Sequence, residues 1–472
     1  MRARTFSAVL AAALAIGAAA LLIPSLGRAG GDDHHHHARS WWGPPRDVRA
    51  MLAQVSARNL RDDDRKLVSF GTRHTLSSQT DPVRGIGAAR DWIKSQFDQI
   101  AATSGGRMTV ELQSYVQPGD PRTRIPVDTT ITNVVATLHG TDPAAADRYY
   151  VVSGHYDSRV TNVLNATSDA PGANDDASGV SALLEMARVM APHPTDANIV
   201  FAAVAGEEQG LYGSEHLAQV AKDSNWNVLG DFNMDIVGSS LGGNGVRDRH
   251  DIRLFSDGVP TNASAADISR LQTIGGENDS ASRQLARFVK EVGSNDATDM
   301  NIALRWRRDR YLRSGDHVPF LERGFAAVRF TEPNENYDHE HQDIRVENGV
   351  QFGDLPQFVD FDFLARVTRV LTSTLEAIAR APRPPVNTRA LSSTLTYDTD
   401  LRWTADPERD VVGYEIVWRD TLDPLWTHSR FVGNVTSYTL VGVNKDDWQV
   451  GVRAVDRDGN RSPVAFAVPA NR

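Results

Sequence analysis

The sequence of 472 residues contains no cysteine, so disulfides cannot stabilise the fold and thiolates cannot bind a metal ion. Any metal would need histidine, aspartate and glutamate as ligands, and that ligand set is typical of catalytic rather than structural zinc sites. A chain of this length can bury a large core without disulfides, so their absence does not argue against export.

The sequence also has no excess of positive charge. It contains 50 Lys and Arg residues and 60 Asp and Glu residues, which gives a formal net charge of −10 at pH 7. Because nucleic-acid binding needs a basic surface, a nucleic-acid partner is not expected. Hydrophobic residues make up 40% of the chain and charged residues 23%, as in ordinary globular proteins.

Long apolar runs are missing except near the start of the chain. Arg2 and Arg4 precede an apolar stretch over residues 8–22, and small residues follow it. This arrangement is typical of a secretory signal peptide, and the shortness of the stretch favours cleavage over retention as a membrane anchor. We therefore predict a signal peptide over residues 1–29, a secreted or periplasmic location, and no stable membrane insertion after cleavage.

The remaining chain divides into three segments. Residues 30–46 include a short histidine tract and are predicted to be a disordered linker. Residues 47–381 alternate helix and strand patterns and form the predicted main domain, which a proline-rich junction over residues 382–385 ends. Residues 386–472 contain short alternating strand patterns and no long helix, which predicts a small all-β sandwich.

Apolar runs within the main domain predict the strands of its central sheet. Four of them cover residues 149–153, 199–204, 228–234 and 325–330. Helical patterns alternate with these runs, and they cover residues 84–102, a segment beginning near Ser178, and residues 355–380. The alternation predicts an α/β fold with a mostly parallel or mixed sheet flanked by helices on both faces. Ligands bind such sheets beyond the carboxyl ends of the strands.

Histidines and carboxylates follow the predicted strands, near the points where each strand ends. They are His155, Asp175, Glu207, Glu208, Asp235 and His339. Each of them alone has an ordinary explanation, as a hydrogen-bonded histidine, a charge at a helix N-terminus or a solvated surface acid. Their recurrence at successive strand ends favours a single functional site along one edge of the sheet.

This set of residues predicts a site for two zinc ions. Two cations about 3.5–4 Å apart repel each other unless anions lie between them, and Asp175 is suited to bridge them. One ion would then be completed by His155 and Asp235, and the other by Glu208 and His339. Each of these two similar sites keeps a position open for water and substrate. A water molecule shared by two zinc ions loses its proton near neutral pH and becomes a nucleophile.

Glu207 is predicted to be the general base of this site. The side chains of adjacent residues diverge, so Glu207 cannot readily bind the same ion as Glu208. A buried carboxylate near the ions can take a proton from water and return it to the leaving amine. Asp157 is placed to accept a hydrogen bond from the imidazole of His155 and thereby fix its tautomer.

Five successive motifs resemble those of the clan MH zinc aminopeptidases, among which the bacterial leucyl aminopeptidases are best known. The motifs are G-H-Y-D-S, P-G-A-N-D-D-A-S-G, G-E-E-Q-G-L-Y-G-S, N-M-D and H-E-H-Q-D, and the resemblance covers residues 47–380. It implies a zinc-dependent exopeptidase that removes N-terminal residues from peptides. The ligands that it implies are His155, Asp175, Glu208, Asp235 and His339.

The resemblance also implies roles for neighbouring residues. Glu207 matches the general base, Asp157 matches the partner of the first histidine, and the peptide bond between Asp175 and Asp176 corresponds to one that is often cis in the family. The stabiliser of the oxyanion stays open, because Tyr337 is one residue away from the position where some relatives carry a tyrosine.

The choice of the last ligand rests on spacing. Family members have an aspartate four residues after the last histidine, and His339 with Asp343 satisfies that spacing. His341 does not satisfy it, so His339 is favoured over His341 as the last ligand.

Three alternative functions fit the sequence less well. A carboxypeptidase-like enzyme would need cations for the substrate carboxylate, and a glutaminyl cyclase on the same fold would use one metal ion. A non-catalytic binding protein would have no need of Glu207. The cations that a carboxypeptidase could use are Arg305, Arg307, Arg308, Arg310 and Arg313.

The C-terminal segment resembles a fibronectin type III domain. The resemblance rests on Trp403 and on the runs G-Y-E-I-V-W-R and V-G-V-R-A-V-D-R-D-G-N-R-S. It implies contact with a surface or a polymer as one role of this segment, in addition to the peptide substrates expected for the main domain.

Overall fold

A computed structural model describes residues 43–393 and 395–470 of the chain. The predicted signal peptide and most of the predicted linker lie outside these residues. The first helix begins at Arg46, one residue before the predicted start of the main domain. Among the described residues, each helix is too short or too polar to cross a membrane.

The described residues form ten α-helices and eighteen β-strands. Helices α1 to α10 are, in chain order, Arg46–Leu52, Ala57–Val68, Ile86–Ala101, Ser178–Met190, Glu207–Gly210, Tyr212–Asp223, Ala265–Ile274, Ala281–Gly293, Val318–Glu322 and Phe361–Arg380. Strands β1 to β10 are Met108–Gln117, Thr129–Leu138, Arg148–His155, Asn198–Val204, Asn227–Met234, Asp251–Phe255, Asn301–Arg305, Ala327–Thr331, Arg345–Glu347 and Val350–Phe352. Strands β11 to β18 are Arg389–Leu391, Thr399–Arg402, Val411–Asp420, His428–Gly433, Ser437–Leu440, Trp448–Asp456, Ala465–Phe466 and Val468–Ala470. Short helical turns lie at Pro143–Ala145, Ala173–Ala177 and Pro356–Phe358.

The main domain is built on an eight-stranded sheet, and the predicted mixed sheet is confirmed. Its strand order is β1-β2-β4-β3-β5-β8-β6-β7. The four central strands β4, β3, β5 and β8 are parallel to one another. The hairpin of β1 and β2 pairs antiparallel at one edge, and β6 pairs antiparallel with β8 towards the other. The four predicted runs are the parallel strands, and the remaining four strands were missed.

Both faces of this sheet are covered, which explains why its central strands bury apolar side chains on both sides. Val152 and Phe201 belong to the hydrophobic core that also contains α2, α3, α4, α8 and α10. Their neighbours Val151 and Val200 point to the opposite face and pack with α6 and α9. Side chains of a strand alternate between the two faces, so a strand between two helical layers buries every position.

The long helix α10 starts later than the sequence pattern predicts. The pattern extends the helix back to residue 355, whereas the structure has a separate turn at Pro356–Phe358 and begins α10 at Phe361. Asp360 explains the difference, because its side chain accepts a hydrogen bond from the backbone N–H of Phe363 at 3.1 Å. Such a cap satisfies a backbone donor that has no partner inside the helix.

The C-terminal segment forms two small sheets of four strands each, with strand orders β15-β12-β11-β18 and β14-β13-β16-β17. Leu401 and Trp403 pack with Ile416 and Val452 in one hydrophobic core, so the predicted all-β sandwich is confirmed. The alternating patterns in the sequence, over residues 401–404, 414–419, 437–441 and 448–454, predict only β12, β13, β15 and β16. Three of the missed strands, β11, β17 and β18, have two or three residues each and are too short to show an alternating pattern.

Candidate metal centre

The parallel strands bring three of the predicted ligands to one edge of the sheet. His155 is the last residue of β3, and Asp235 follows β5 directly. Glu208 lies in α5, which begins three residues after β4 ends. Since β3 lies between β4 and β5, the three side chains meet at the carboxyl ends of neighbouring strands.

The fourth predicted ligand, Asp175, lies in the tight turn Ala173–Ala177 that precedes α4. The carboxylate of Asp354 accepts hydrogen bonds from the backbone N–H groups of Asn174 at 2.9 Å and Asp175 at 2.7 Å. Asp176 accepts hydrogen bonds from the backbone N–H of His155 at 3.1 Å and that of Gly179 at 3.0 Å. The peptide bond between Asp175 and Asp176 is cis, as the family resemblance implied.

The two carboxylate oxygens of Asp175 face two different histidines. Oδ1 lies 3.0 Å from Nε2 of His155, and Oδ2 lies 2.8 Å from Nε2 of His341. The same Nε2 of His341 lies 3.1 Å from Oε1 of Glu208. Two groups of potential ligands therefore share Asp175: His155, Asp175 and Asp235 form one, and Asp175, Glu208 and His341 form the other.

The structure brings His341, rather than the predicted His339, to the other candidate ligands. The ring of His339 is stacked on that of Phe358, with centroids 3.5 Å apart, and does not belong to either ligand group. His341 instead has a positive φ of 56°, and its imidazole lies between Asp175 and Glu208. The predicted partner Asp343 is exposed, and its backbone N–H donates to Thr161 Oγ1. The aspartate spacing therefore does not identify the histidine that reaches the site.

The residues present fit a pair of zinc ions. All donors are imidazole nitrogens and carboxylate oxygens, which zinc accepts in catalytic sites. Within the described part of the chain, His155 Nε2 and Glu208 Oε1 are buried, and their close contacts with Asp175 and His341 do not have hydrogen-bond geometry. Buried polar atoms are nearly always paired, so these two are candidates for metal coordination.

Glu207 is the first residue of α5 and lies next to the centre without belonging to either ligand group. Burial raises the pKa of its carboxyl group well above the usual value, His155 partly opposes this rise, and the negative charges of Asp235, Asp316 and Glu208 add to it. A carboxyl group with a raised pKa can both accept and return a proton near neutral pH.

Asp157 contacts His155 in a different way from the one predicted. Nδ1 of His155 lies 3.1 Å from the backbone carbonyl oxygen of Asp157 and 3.7 Å from its carboxylate. The carboxylate accepts hydrogen bonds from the backbone N–H groups of Glu208 at 3.1 Å and Glu207 at 3.3 Å. The backbone of Asp157 thus orients the imidazole, and its side chain holds the start of α5.

Two arginines that the sequence patterns did not single out contact the ligands. Arg329 is fully buried in β8, with Nη2 2.7 Å from Asp235 and Nη1 2.9 Å from Asp309. Arg159 lies with Nε 3.0 Å from Oε2 of Glu208. A charged residue inside the apolar run F-A-A-V-R-F was a signal that could have identified Arg329, whereas Arg159 lies in a loop with no such contrast.

Two further candidate groups do not reach the centre. Arg310 and Arg313 of the arginine-rich segment both form ion pairs with Glu335, at 2.9 and 2.7 Å. Tyr337, considered for the oxyanion, is 67% exposed.

Comparisons with known proteins identify the family of the chain. The sequence model of peptidase family M28 matches residues 133–348. A probable zinc metalloprotease of Pyrenophora teres f. teres (strain 0-1) is 52% identical over 431 residues, which cover 90% of this chain and 88% of that protein. A probable zinc metalloprotease of Pyricularia oryzae is 50% identical over 433 residues, with 90% and 85% covered.

The fold is similar to that of a solved structure. The crystal structure of the Legionella pneumophila LapA aminopeptidase superposes with a TM-score of 0.50 at 19% identity, over 71% of this chain and 75% of that chain. At this level of identity the likeness concerns the fold alone. The 52% identity over nine-tenths of the chain is decisive, and the chain belongs to peptidase family M28, a family of zinc metallopeptidases.

Proposed function

We propose that this protein is an exported aminopeptidase that hydrolyses the N-terminal peptide bond with two zinc ions. The observation that carries the proposal is the Asp175 carboxylate, with one oxygen towards His155 and the other towards His341. A carboxylate shared by two ligand groups supplies the negative charge that two neighbouring cations need between them.

The ligand groups assign residues to each ion. His155, Asp175 and Asp235 would hold one zinc ion, and Asp175, Glu208 and His341 would hold the other. When bound, the two ions polarise the scissile carbonyl group and lower the pKa of a water molecule. Glu207 would take a proton from the attacking water and return it to the nitrogen of the leaving amine.

The charges around the centre favour a substrate amine over a substrate carboxylate. A small pocket beside Asp175 is also lined by Glu332, Glu340 and Asp354, and its lining among the described residues includes no lysine or arginine. A protonated α-amine fits such surroundings. The cations that a carboxypeptidase would use are less available, because Arg310 and Arg313 are paired with Glu335. The presence of two ligand groups favours two ions over the single ion of a cyclase.

Assays of the mature, zinc-loaded protein test this proposal. We expect hydrolysis of leucine amide and of leucyl peptides, and at least a hundredfold lower rate on the N-acetylated forms. Equal rates on free and acetylated substrates would contradict an aminopeptidase. A Glu207→Gln variant should bind zinc normally and lose most of the turnover, and full activity in that variant would exclude Glu207 as the general base.

Export and the class of the C-terminal domain are further parts of the proposal. The pattern over residues 1–29 supports a cleaved signal peptide, and N-terminal sequencing of the protein recovered outside the cytoplasm tests this. The two four-stranded sheets around Trp403 support a fibronectin type III-like domain.

A further inference from the structure

A cleft lined by arginines lies beside the metal centre. It has a volume of about 450 Å³, and its lining includes four arginines and two aspartates, Asp360 and Asp362. Arg58 and Arg61 come from α2, whereas Arg247 and Arg249 come from the loop before β6. Two distant segments of an acidic chain thus place a local excess of positive charge around one cavity.

Among the residues that the structure describes, carboxylates neutralise the positive charge of this cleft only in part. Asp360 is shared by Arg249 at 3.2 Å and Arg247 at 3.8 Å, while it also caps α10. Arg58 and Arg61 share Asp62, each at 3.6 Å, which is too long for a hydrogen bond. Among the described residues, Nε of Arg61 is buried and has no hydrogen-bond partner.

The cleft adjoins the small acidic pocket at Asp175. The stacked rings of His339 and Phe358, together with Ser239, line both cavities. The backbone N–H of Ser239 donates to Glu332 at 2.9 Å, and the same carboxylate accepts a hydrogen bond from Asn174 at 2.8 Å. A single wall therefore separates the acidic pocket from the basic cleft.

The opposite charges of the acidic pocket and the basic cleft correspond to the two kinds of charge on a peptide. A peptide carries a positive α-amine and, at its terminus or in a side chain, a negative carboxylate. The acidic pocket suits the amine, and the arginines present the planar donor groups that pair with carboxylates.

We propose that the arginine-lined cleft binds a carboxylate group of the peptide substrate, so that the enzyme prefers short or acidic peptides. The inference rests on the proposed aminopeptidase function and deepens it. The carboxylate can be the C-terminal group of a short peptide or an acidic side chain, and matched substrates distinguish these two sources.

The test compares kcat/KM within two substrate pairs at low ionic strength. Leu-Gly-Gly is compared with its C-terminal amide, and Glu-Gly-Gly amide is compared with Gln-Gly-Gly amide. We expect the charged member of at least one pair to be preferred by at least about fivefold, as for one or two exposed ion pairs, chiefly through KM. Added salt should reduce this preference.

Arginine variants locate the effect in the cleft. In the double variant Arg61→Gln, Arg247→Gln, the ratio within the preferred pair should fall close to one. The control Arg430→Gln removes the same type of charge from an exposed position on β14 of the C-terminal domain, and it should keep the wild-type ratio. The ratio within each variant corrects for any general loss of activity, and thermal melting reports whether the variants are folded.

A binding measurement separates this inference from the proposed function. Calorimetry compares the zinc-loaded wild type and the double variant for N-acetyl-Leu-Gly-Gly and its amide. If no substrate is hydrolysed but the acid binds more tightly in an arginine-dependent way, the aminopeptidase proposal fails and the cleft remains a carboxylate site. Equal handling of charged and neutral members in the wild type, or an unchanged preference in the double variant, overturns the inference.

Discussion

At the scale of single residues, the centre depends on which histidine reaches Asp175. His341 lies 2.8 Å from Asp175, while His339, two residues earlier, is stacked on Phe358. A two-residue difference along a turn sends the two imidazoles to different surroundings. His155 is instead held by a regular strand end, where the direction of the side chain follows from the pleat.

We expect His341→Ala to remove about one zinc ion per chain and to lower kcat/KM more than about 100-fold. Loss of a direct ligand should reduce activity more than loss of a residue that only orients a ligand. His339→Ala is the matched control and should keep both ions. Elemental analysis of the purified variants measures the zinc content. Loss of zinc from the His339 variant alone would return that residue to the ligand set.

A second prediction at this scale concerns pH and His317. Burial lowers the pKa of the His317 imidazole to about 4, although Asp309 partly opposes this, and its Nε2 lies 3.0 Å from the carbonyl oxygen of Arg308. In the unfolded chain this imidazole takes up a proton near pH 6.5, whereas in the folded chain it stays neutral until about pH 4. Protonation therefore favours the unfolded chain between these values, and the folded state loses stability as the pH falls from 6.5 towards 4.

We expect the wild type to lose roughly 3 kcal/mol of unfolding free energy between these pH values relative to a His317→Gln variant. Denaturant unfolding of both proteins at several pH values measures the difference. Parallel pH profiles for the two proteins would show that His317 is not held neutral by the fold.

At the scale of elements, the turn Ala173–Ala177 is shaped by a residue from far along the chain. Asp354 accepts hydrogen bonds from the backbone N–H groups of Asn174 and Asp175 and so sets the direction of the Asp175 carboxylate. The turn and its support are separated by 179 positions, so no local pattern connects them.

We expect Asp354→Asn to weaken zinc binding about 10- to 100-fold, as for other residues that orient metal ligands. Asp267→Asn is a control, since Asp267 caps the exposed helix α7 away from the turn. Titration with a competing chelator measures the affinity of each variant. Wild-type affinity in the Asp354 variant would show that the turn holds its shape without this carboxylate.

At the scale of the whole molecule, the C-terminal sandwich is joined to the main domain by buried charges. Arg419 of β13 lies 2.7 Å from Asp279, and both side chains are buried. Arg287 of α8 also contacts Asp279, at 3.3 Å. Such a junction makes the sandwich part of the folded unit rather than a loosely tethered module.

We expect Asp279→Asn to destabilise the protein by about 3–5 kcal/mol, because it leaves two buried arginines without a countercharge. Asp446→Asn, at an exposed position of the C-terminal domain, should change stability by less than about 0.5 kcal/mol. Denaturant unfolding followed by tryptophan fluorescence measures both variants. A small effect of Asp279→Asn would mean that the two domains are not coupled through this pair.

Some properties follow from the sequence alone. The absence of cysteine limits the metal ligands to nitrogen and oxygen, and the apolar runs identify the parallel strands of the central sheet. Because parallel strands end at a common edge, the order of the motifs already places His155, Glu208 and Asp235 close together.

Other properties depend on contacts that only the folded chain makes. Local backbone torsions bring His341, rather than His339, to Asp175 and Glu208. The other contacts join residues far apart in sequence: the arginines that contact Asp235 and Glu208, the support from Asp354, and α2 with the loop before β6. Periodicity and spacing report which face of a helix or strand is buried. They do not report the direction of a side chain in an irregular turn or its partner from another segment, and those were decided by tertiary packing.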